Sequence, residues 1–347
     1  MPTANIRGAT HAYDLTAQPA LSVTEQLPTL VCIHGWMLSR AYWQPLVQQL
    51  SKHYCCLTYD LRGFGESTQS PTSEQSQYSN GPSLISANPQ HTDYSLAAYA
   101  TDLKDLLDAL NLQNVWLLGH SLGGSIALWA AHLFPQQVKG IICINAGGGI
   151  FIPDEFEKFR TAGQRMVKFR PAWPRSLPLL PQAFARMMVH QPLSPNWGKL
   201  RLYDFIRADR QAAEGALLES TTQAEVHQLP QVVSQLQQPV HFITATEDHI
   251  MPPRYVRYLA SFHPQFEEGE TITELSECGH IAMLEKSEEV ADIVSFVIET
   301  HNNRTNSSGA SNGNTLKERS RHYTGHRTGH PTGHVKDFEQ AQAEATS

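Results

Sequence analysis

One serine stands between two glycines in an otherwise apolar stretch. Residues Gly119-His120-Ser121-Leu122-Gly123 fall inside the run from Val115 to Phe134. A serine hydroxyl is a weak nucleophile until a neighbouring base activates it. Glycines two residues to either side let an incoming strand and an outgoing helix pass closely. That arrangement lifts the hydroxyl out of a buried element and sets the next backbone N–H at a helix N-terminus, the nucleophile elbow. The five-residue pattern is common, so its weight comes from its place between a strand pattern and a helix pattern. A membrane span is the competing reading of 115–134. The polar groups at its centre, and the strand already present in Val115–Leu118, argue against that span.

Such a serine needs a base and an acid that orients the base, in the chain order Ser, Asp, His. "EDHIMP" (247–252) follows a β-like run and offers Asp248; "CGHIAMLEK" (278–286) follows the last β-like run and offers His280. Glu247 and Asp154 are the rival acids. Strand alternation turns Glu247 away from Asp248, and Asp154 lies soon after the strand ending at Asn145. Two N–H donors must meet the developing oxyanion: the backbone of Leu122, and that of Trp36 in "HGW" (34–36). Met37, His120, Phe151, Phe156, Phe159 and Met166 are the candidate substrate contacts. Cys278 is expected beside the catalytic loop, within reach of thiol reagents.

Short β-branched runs alternating with helical patterns must position these groups, which is the signature of a parallel sheet with crossover helices. Strands are predicted at 29–35, 54–60, 115–119, 140–145, 239–247 and 271–276, with helices after the first of them, over 94–112, and at the end of the fold. The core is thus expected to comprise 1–146 and 237–300, interrupted by a long polar loop at 68–93. Residues 147–236 break the rhythm with Pro-punctuated helical sequence and read as an inserted helical lid. From His301 to Ser347 the chain is Asn/Ser/Gly-rich, then repeats "TGHRTGHPTGH". This composition cannot build a core and predicts a disordered tail. His322, His326, His330 and His334 recur there every four residues, but Gly and Pro preclude a preformed metal site.

Composition bounds the function. Of 347 residues 41% are hydrophobic, and the formal net charge of −7 argues against nucleic-acid binding. The N-terminus lacks the apolar core of a secretory signal. Five cysteines, an odd number without metal-ligand spacing, predict a reducing, cytoplasmic location and no disulfide framework. Neither a metal nor a cofactor is called for. Against the acidic whole, residues 151–210 carry eleven Lys or Arg and five Asp or Glu. Lys158, Arg165 and Lys168 either solvate the lid or meet an anionic membrane or an acidic carrier protein.

The blocks "HGWMLSRAYW" (34–43), "YDLRGFGES" (59–67), "GHSLGG", "EDHIMP" and "CGHIAMLEK" resemble, in this order, the α/β-hydrolase superfamily in its lid-bearing esterase branch. The resemblance implies an α/β fold with a mostly parallel central sheet flanked by helices. Relatives such as dehalogenases and epoxide hydrolases carry Asp at the elbow, so Ser121 points to acyl chemistry. The expected activity is a cofactor-independent carboxylic ester hydrolase (EC 3.1.1.-) working through an acyl-enzyme on a hydrophobic or amphiphilic ester. An acyltransferase with the same triad, or a binding protein on a hydrolase fold, are the alternatives. Asp60 and Arg62 are expected to brace the 59–67 turn as a pair.

Overall fold

The computed structural model describes residues 1–17, 27–68, 93–170, 179–267 and 271–307. Its strands are β1 (Thr3–Ile6), β2 (Ala9–Leu15), β3 (Thr29–Ile33), β4 (Cys56–Tyr59), β5 (Val115–His120), β6 (Val138–Ile144), β7 (Val240–Ala245) and β8 (Ile272–Leu275). The α-helices before β6 are α1 (Gln44–Leu50), α2 (Leu96–Ala109) and α3 (Leu122–Leu133). Between β6 and β7 lie α4 (Pro153–Lys168), α5 (Leu180–Arg186), α6 (Pro195–Arg207), α7 (Arg210–Ser220) and α8 (Gln223–Gln235); α9 (Pro253–Ala260), α10 (Ala282–Glu285) and α11 (Ser287–Ser307) follow.

The strands form one eight-stranded sheet in the order β1-β2-β4-β3-β5-β6-β7-β8. β1, β2 and β4 pair antiparallel, and every pairing from β4 to β8 is parallel. Side chains alternate across a strand, and the alternation here divides the core in two. Val31, Ile33, Leu57, Leu117, Ile141 and Phe242 join α2, α3, α8 and α9 on one face. Leu30, Cys32, Cys56, Leu118, Ile142 and Ile243 join α1 and α11 on the other. Both faces are covered, so the strands read as unbroken apolar runs instead of alternating ones.

Two features depart from expectation. The β1–β2 hairpin was not foreseen; it turns at Arg7-Gly8, both with positive φ, between Ile6 and Ala9. Beyond its core-packing residues, α11 runs past His301 to Ser307, into the stretch expected as tail. Residues 308–347, and 69–92 of the polar loop, lie outside the described residues. Among the described helices between β6 and β7, α8 packs Leu229, Val232 and Val233 into the sheet's own core. Among the described residues no helix is long and apolar enough to cross a membrane, and all five cysteines are unpaired.

Candidate active site

Ser121 lies between β5 and α3 with φ 52° and ψ −121°, a left-handed backbone that an L-residue adopts only under strain. The flanking glycines permit it. A Cβ on Gly119 would stand 2.3 Å from the Gly123 carbonyl oxygen, and one on Gly123 would stand 2.1 Å from that of Ile33. Any side chain at either position would push α3 off the sheet. The Leu122 N–H opens α3, where the first amides have no partner within the helix. Gly35 is also confined, though less severely, since a Cβ there would come within 2.9 Å of His120 Nδ1 and 3.2 Å of the Ser121 Cβ. Trp36, the next residue, lines the same cavity as Ser121. Trp36 is tethered from its other end, the indole Nε1 donating to the Ala213 carbonyl of α7 at 2.8 Å.

Asp248 follows β7 and His280 follows β8, so both stand, like Ser121, beyond the carboxyl ends of parallel strands, where open α/β sheets form their sites. His280 Nδ1 lies 2.7 Å from Asp248 Oδ2, and both side chains are buried. A carboxylate can only accept, so Nδ1 carries the proton and Nε2 is left free to act as a base. The other carboxylate oxygen accepts from the backbone N–H of Ile250 and of Met251, each at 2.8 Å. Of the two rival acids, Asp154 is exposed in the first turn of α4, and the Glu247 backbone N–H donates to the Cys278 carbonyl.

His280 is also held through its main chain. Its N–H donates to the Met188 carbonyl at 2.8 Å. Its carbonyl accepts from Asn145 Nδ2 at 2.9 Å and lies 2.7 Å from His120 Nε2. Burial, and then the neighbouring His280, push the His120 imidazole well below its ordinary pKa, so it stays neutral. Asn145, at the end of β6 with φ 47°, was missed at the sequence level. A buried Asn closing an apolar strand was its only signal.

A cavity of about 330 Å³ opens at Ser121. Trp36, Leu122, Phe156, Phe159, Leu217 and Leu229 give it apolar walls. Among the described residues its lining includes two carboxylates, Glu155 and Glu225, and no Lys, Arg or His. Burial raises the Glu225 pKa, and Trp129 Nε1 donates to its Oε1 at 2.6 Å. Of the candidate substrate contacts, Phe156 and Phe159 line this cavity; Met37, His120, Phe151 and Met166 are not in its described lining. Met37 is buried in the core, His120 holds the His280 loop, Phe151 stacks on Phe156 at 4.7 Å, and Met166 faces solvent.

Two expectations are corrected. Asp60 and Arg62 do not brace the turn as a pair. Asp60 takes the backbone N–H and the guanidinium of Arg40, while Arg62 Nε donates to Asp102 Oδ2 at 2.8 Å. Cys278 is beside the catalytic loop but wholly enclosed, and burial raises its thiol pKa well above the usual range. Lys158, Arg165 and Lys168 are exposed on α4, beside the exposed Phe159, Met166 and Phe169.

A family model described as alpha/beta hydrolase fold matches residues 28–287. An uncharacterised protein of Mycobacterium tuberculosis is 26% identical over 313 residues, covering 86% of this chain and 82% of its own length. The pimeloyl-(acyl-carrier protein) methyl ester esterase of Pseudoalteromonas atlantica is 27% identical over 244 residues, covering 67% and 80%. A thermophilic esterase structure from Thermogutta terrifontis matches in fold with a TM-score of 0.62 at 21% identity, over 86% of this chain and 99% of that one. With three quarters of its length matched, and strand order and elbow as described, the chain belongs to the α/β-hydrolase fold family.

Proposed function

We propose that the protein is a serine hydrolase that cleaves a carboxylic ester with an apolar acyl part. Ser121 Oγ attacks the ester carbonyl while His280 Nε2 takes its proton, and Asp248 stabilises the imidazolium. The N–H groups of Leu122 and Trp36 receive the oxyanion. Collapse of the tetrahedral species expels the alcohol, which leaves with the proton from His280, and water then attacks the acyl-enzyme by the same route. The observation that carries this reading is the buried 2.7 Å contact between His280 and Asp248, together with a strained serine that lines an apolar cavity. That one relative is named as a methyl ester esterase agrees with it.

The two cavity carboxylates favour neutral over anionic acyl chains. Helices α4–α7 act in this reading as a lid, whose exposed Lys158, Arg165 and Lys168 offer an anionic surface a contact that salt would weaken. Five unpaired cysteines suit a reducing, cytoplasmic compartment.

The test is hydrolysis of p-nitrophenyl esters and covalent labelling by a fluorophosphonate, with Ser121→Ala as the blank. Labelling and turnover that vanish in the blank support the proposal. A wild-type protein that neither labels nor turns over any ester refutes it.

A further inference from the structure

A second hollow adjoins the first. It is an open groove of about 470 Å³ between α4 and the α7–α8 junction, lined by Phe151, Pro153 and Thr222 together with Arg160 and Gln164. Phe156 and Thr221 line both this groove and the cavity at Ser121. These two side chains are therefore the wall between an inner apolar chamber and an outer, more open one of mixed lining.

The halves of this wall differ in how they are held. The Thr221 hydroxyl donates to the Leu217 carbonyl at 2.5 Å and accepts from Arg160 Nη1 at 2.8 Å. Arg160 is fixed in turn by the Leu218 carbonyl at 2.8 Å. Shifting Thr221 would strand buried polar groups, which is costly. Phe156 has no polar atom to lose; it is half-buried and rests on the Phe151 ring. Its helix is anchored two turns beyond, where Gly163 is pressed so tightly on Leu217 that a Cβ would come within 2.5 Å. The anchor keeps α4 in place while the Phe156 ring can be changed alone.

We propose that Phe156 is the removable half of this partition and sets the longest apolar chain that the inner cavity accepts. This rests on the ester-hydrolase reading for the nature of the chain, an acyl tail extending from Ser121, but it can be tested without catalysis. Each methylene moved from water into an apolar site strengthens binding up to about fourfold.

Calorimetric titration of Ser121→Ala with straight-chain 1-alkanols of increasing length should therefore show Kd falling stepwise, then levelling where the chain meets Phe156. Adding Phe156→Ala should move the plateau to longer chains, and Phe156→Trp to shorter ones. With Ser121 intact, the kcat/KM optimum over p-nitrophenyl esters from acetate to palmitate should move in the same directions, by at least tenfold in the ratio of long to short esters. Coincident plateaus in the three proteins would overturn the partition, as would an equal shift from Phe159→Ala, which opens only the inner chamber. Plateau shifts without hydrolysis of any ester would leave the partition standing and refute the ester-hydrolase reading instead.

Discussion

His120 Nε2 lies 2.7 Å from the carbonyl oxygen of His280, with the two imidazole rings 4.8 Å apart. A carbonyl only accepts, so His120 is the donor and must be a neutral Nε2–H tautomer. The residue before Ser121 thus holds the His280 loop. With Asn145, which donates to the same oxygen, it forms a two-donor clamp.

Replacing Asn145 with Ala should lower kcat by about tenfold to a hundredfold while KM changes little, because the base is displaced rather than removed. His120→Leu should act in the same direction. If either variant instead raises KM and leaves kcat intact, the clamp belongs to substrate binding.

Ser121→Ala and His280→Ala should each reduce kcat by about 10⁴- to 10⁶-fold, and the double variant should be hardly worse, since the groups act as one unit. Additive losses in the cycle would separate them. Asp248→Asn should be far more damaging than Asp154→Asn, whose side chain is exposed on α4. The reverse order would move the acid.

Bulky thiol reagents should leave the native enzyme active. Cys278 adjoins the catalytic loop, yet it is enclosed and held as the thiol, whereas the thiolate is the reactive form. Rapid inactivation that Cys278→Ala abolishes would show that the loop opens.

Asp204 of α6 is buried and accepts from Ser39 Oγ at 2.8 Å. Burial foremost, with Asp60 and Glu66 adding to it, pushes its carboxyl up to about 7, against the pull of Ser39 and Tyr42. The folded value lies above the unfolded one of about 4. The protonated group's contribution to stability is therefore whole below about pH 4 and lost as pH rises through about 7. Asp204→Asn cannot ionise, so its Tm should gain on wild type across that window. A Tm difference independent of pH would contradict this assignment.

The parts legible in the sequence are those where one local constraint admits few residues. Gly119 and Gly123 are forced by backbone contact, and strands covered on both faces must be apolar throughout. Chain order then singled out Asp248 and His280, whose side chains lie 2.7 Å apart. What escaped depends on distance along the chain. The partners of Asp60 and Arg62, at Arg40 and Asp102, are separated from them by 20 and 40 positions. Nothing local distinguishes them from Asp60 and Arg62 pairing with each other. The hairpin did leave a local trace, Arg7-Gly8 between two alternating runs, but the runs are short and only partly apolar.

The main chain of His280 is pinned from opposite sides, its carbonyl by the sheet through Asn145 and its N–H by Met188, which follows α5 in the helical insertion. Gly279 is pressed against the same segment, where a Cβ would come within 2.6 Å of the His190 nitrogen. Were this part of the insertion to swing away, it would take one support of the proposed base with it. An open enzyme would then be an idle one, with no competent nucleophile exposed to bulk water. Under the proposed mechanism, entry of substrate and assembly of the machinery would be a single event, and the safeguard would need no separate sensor.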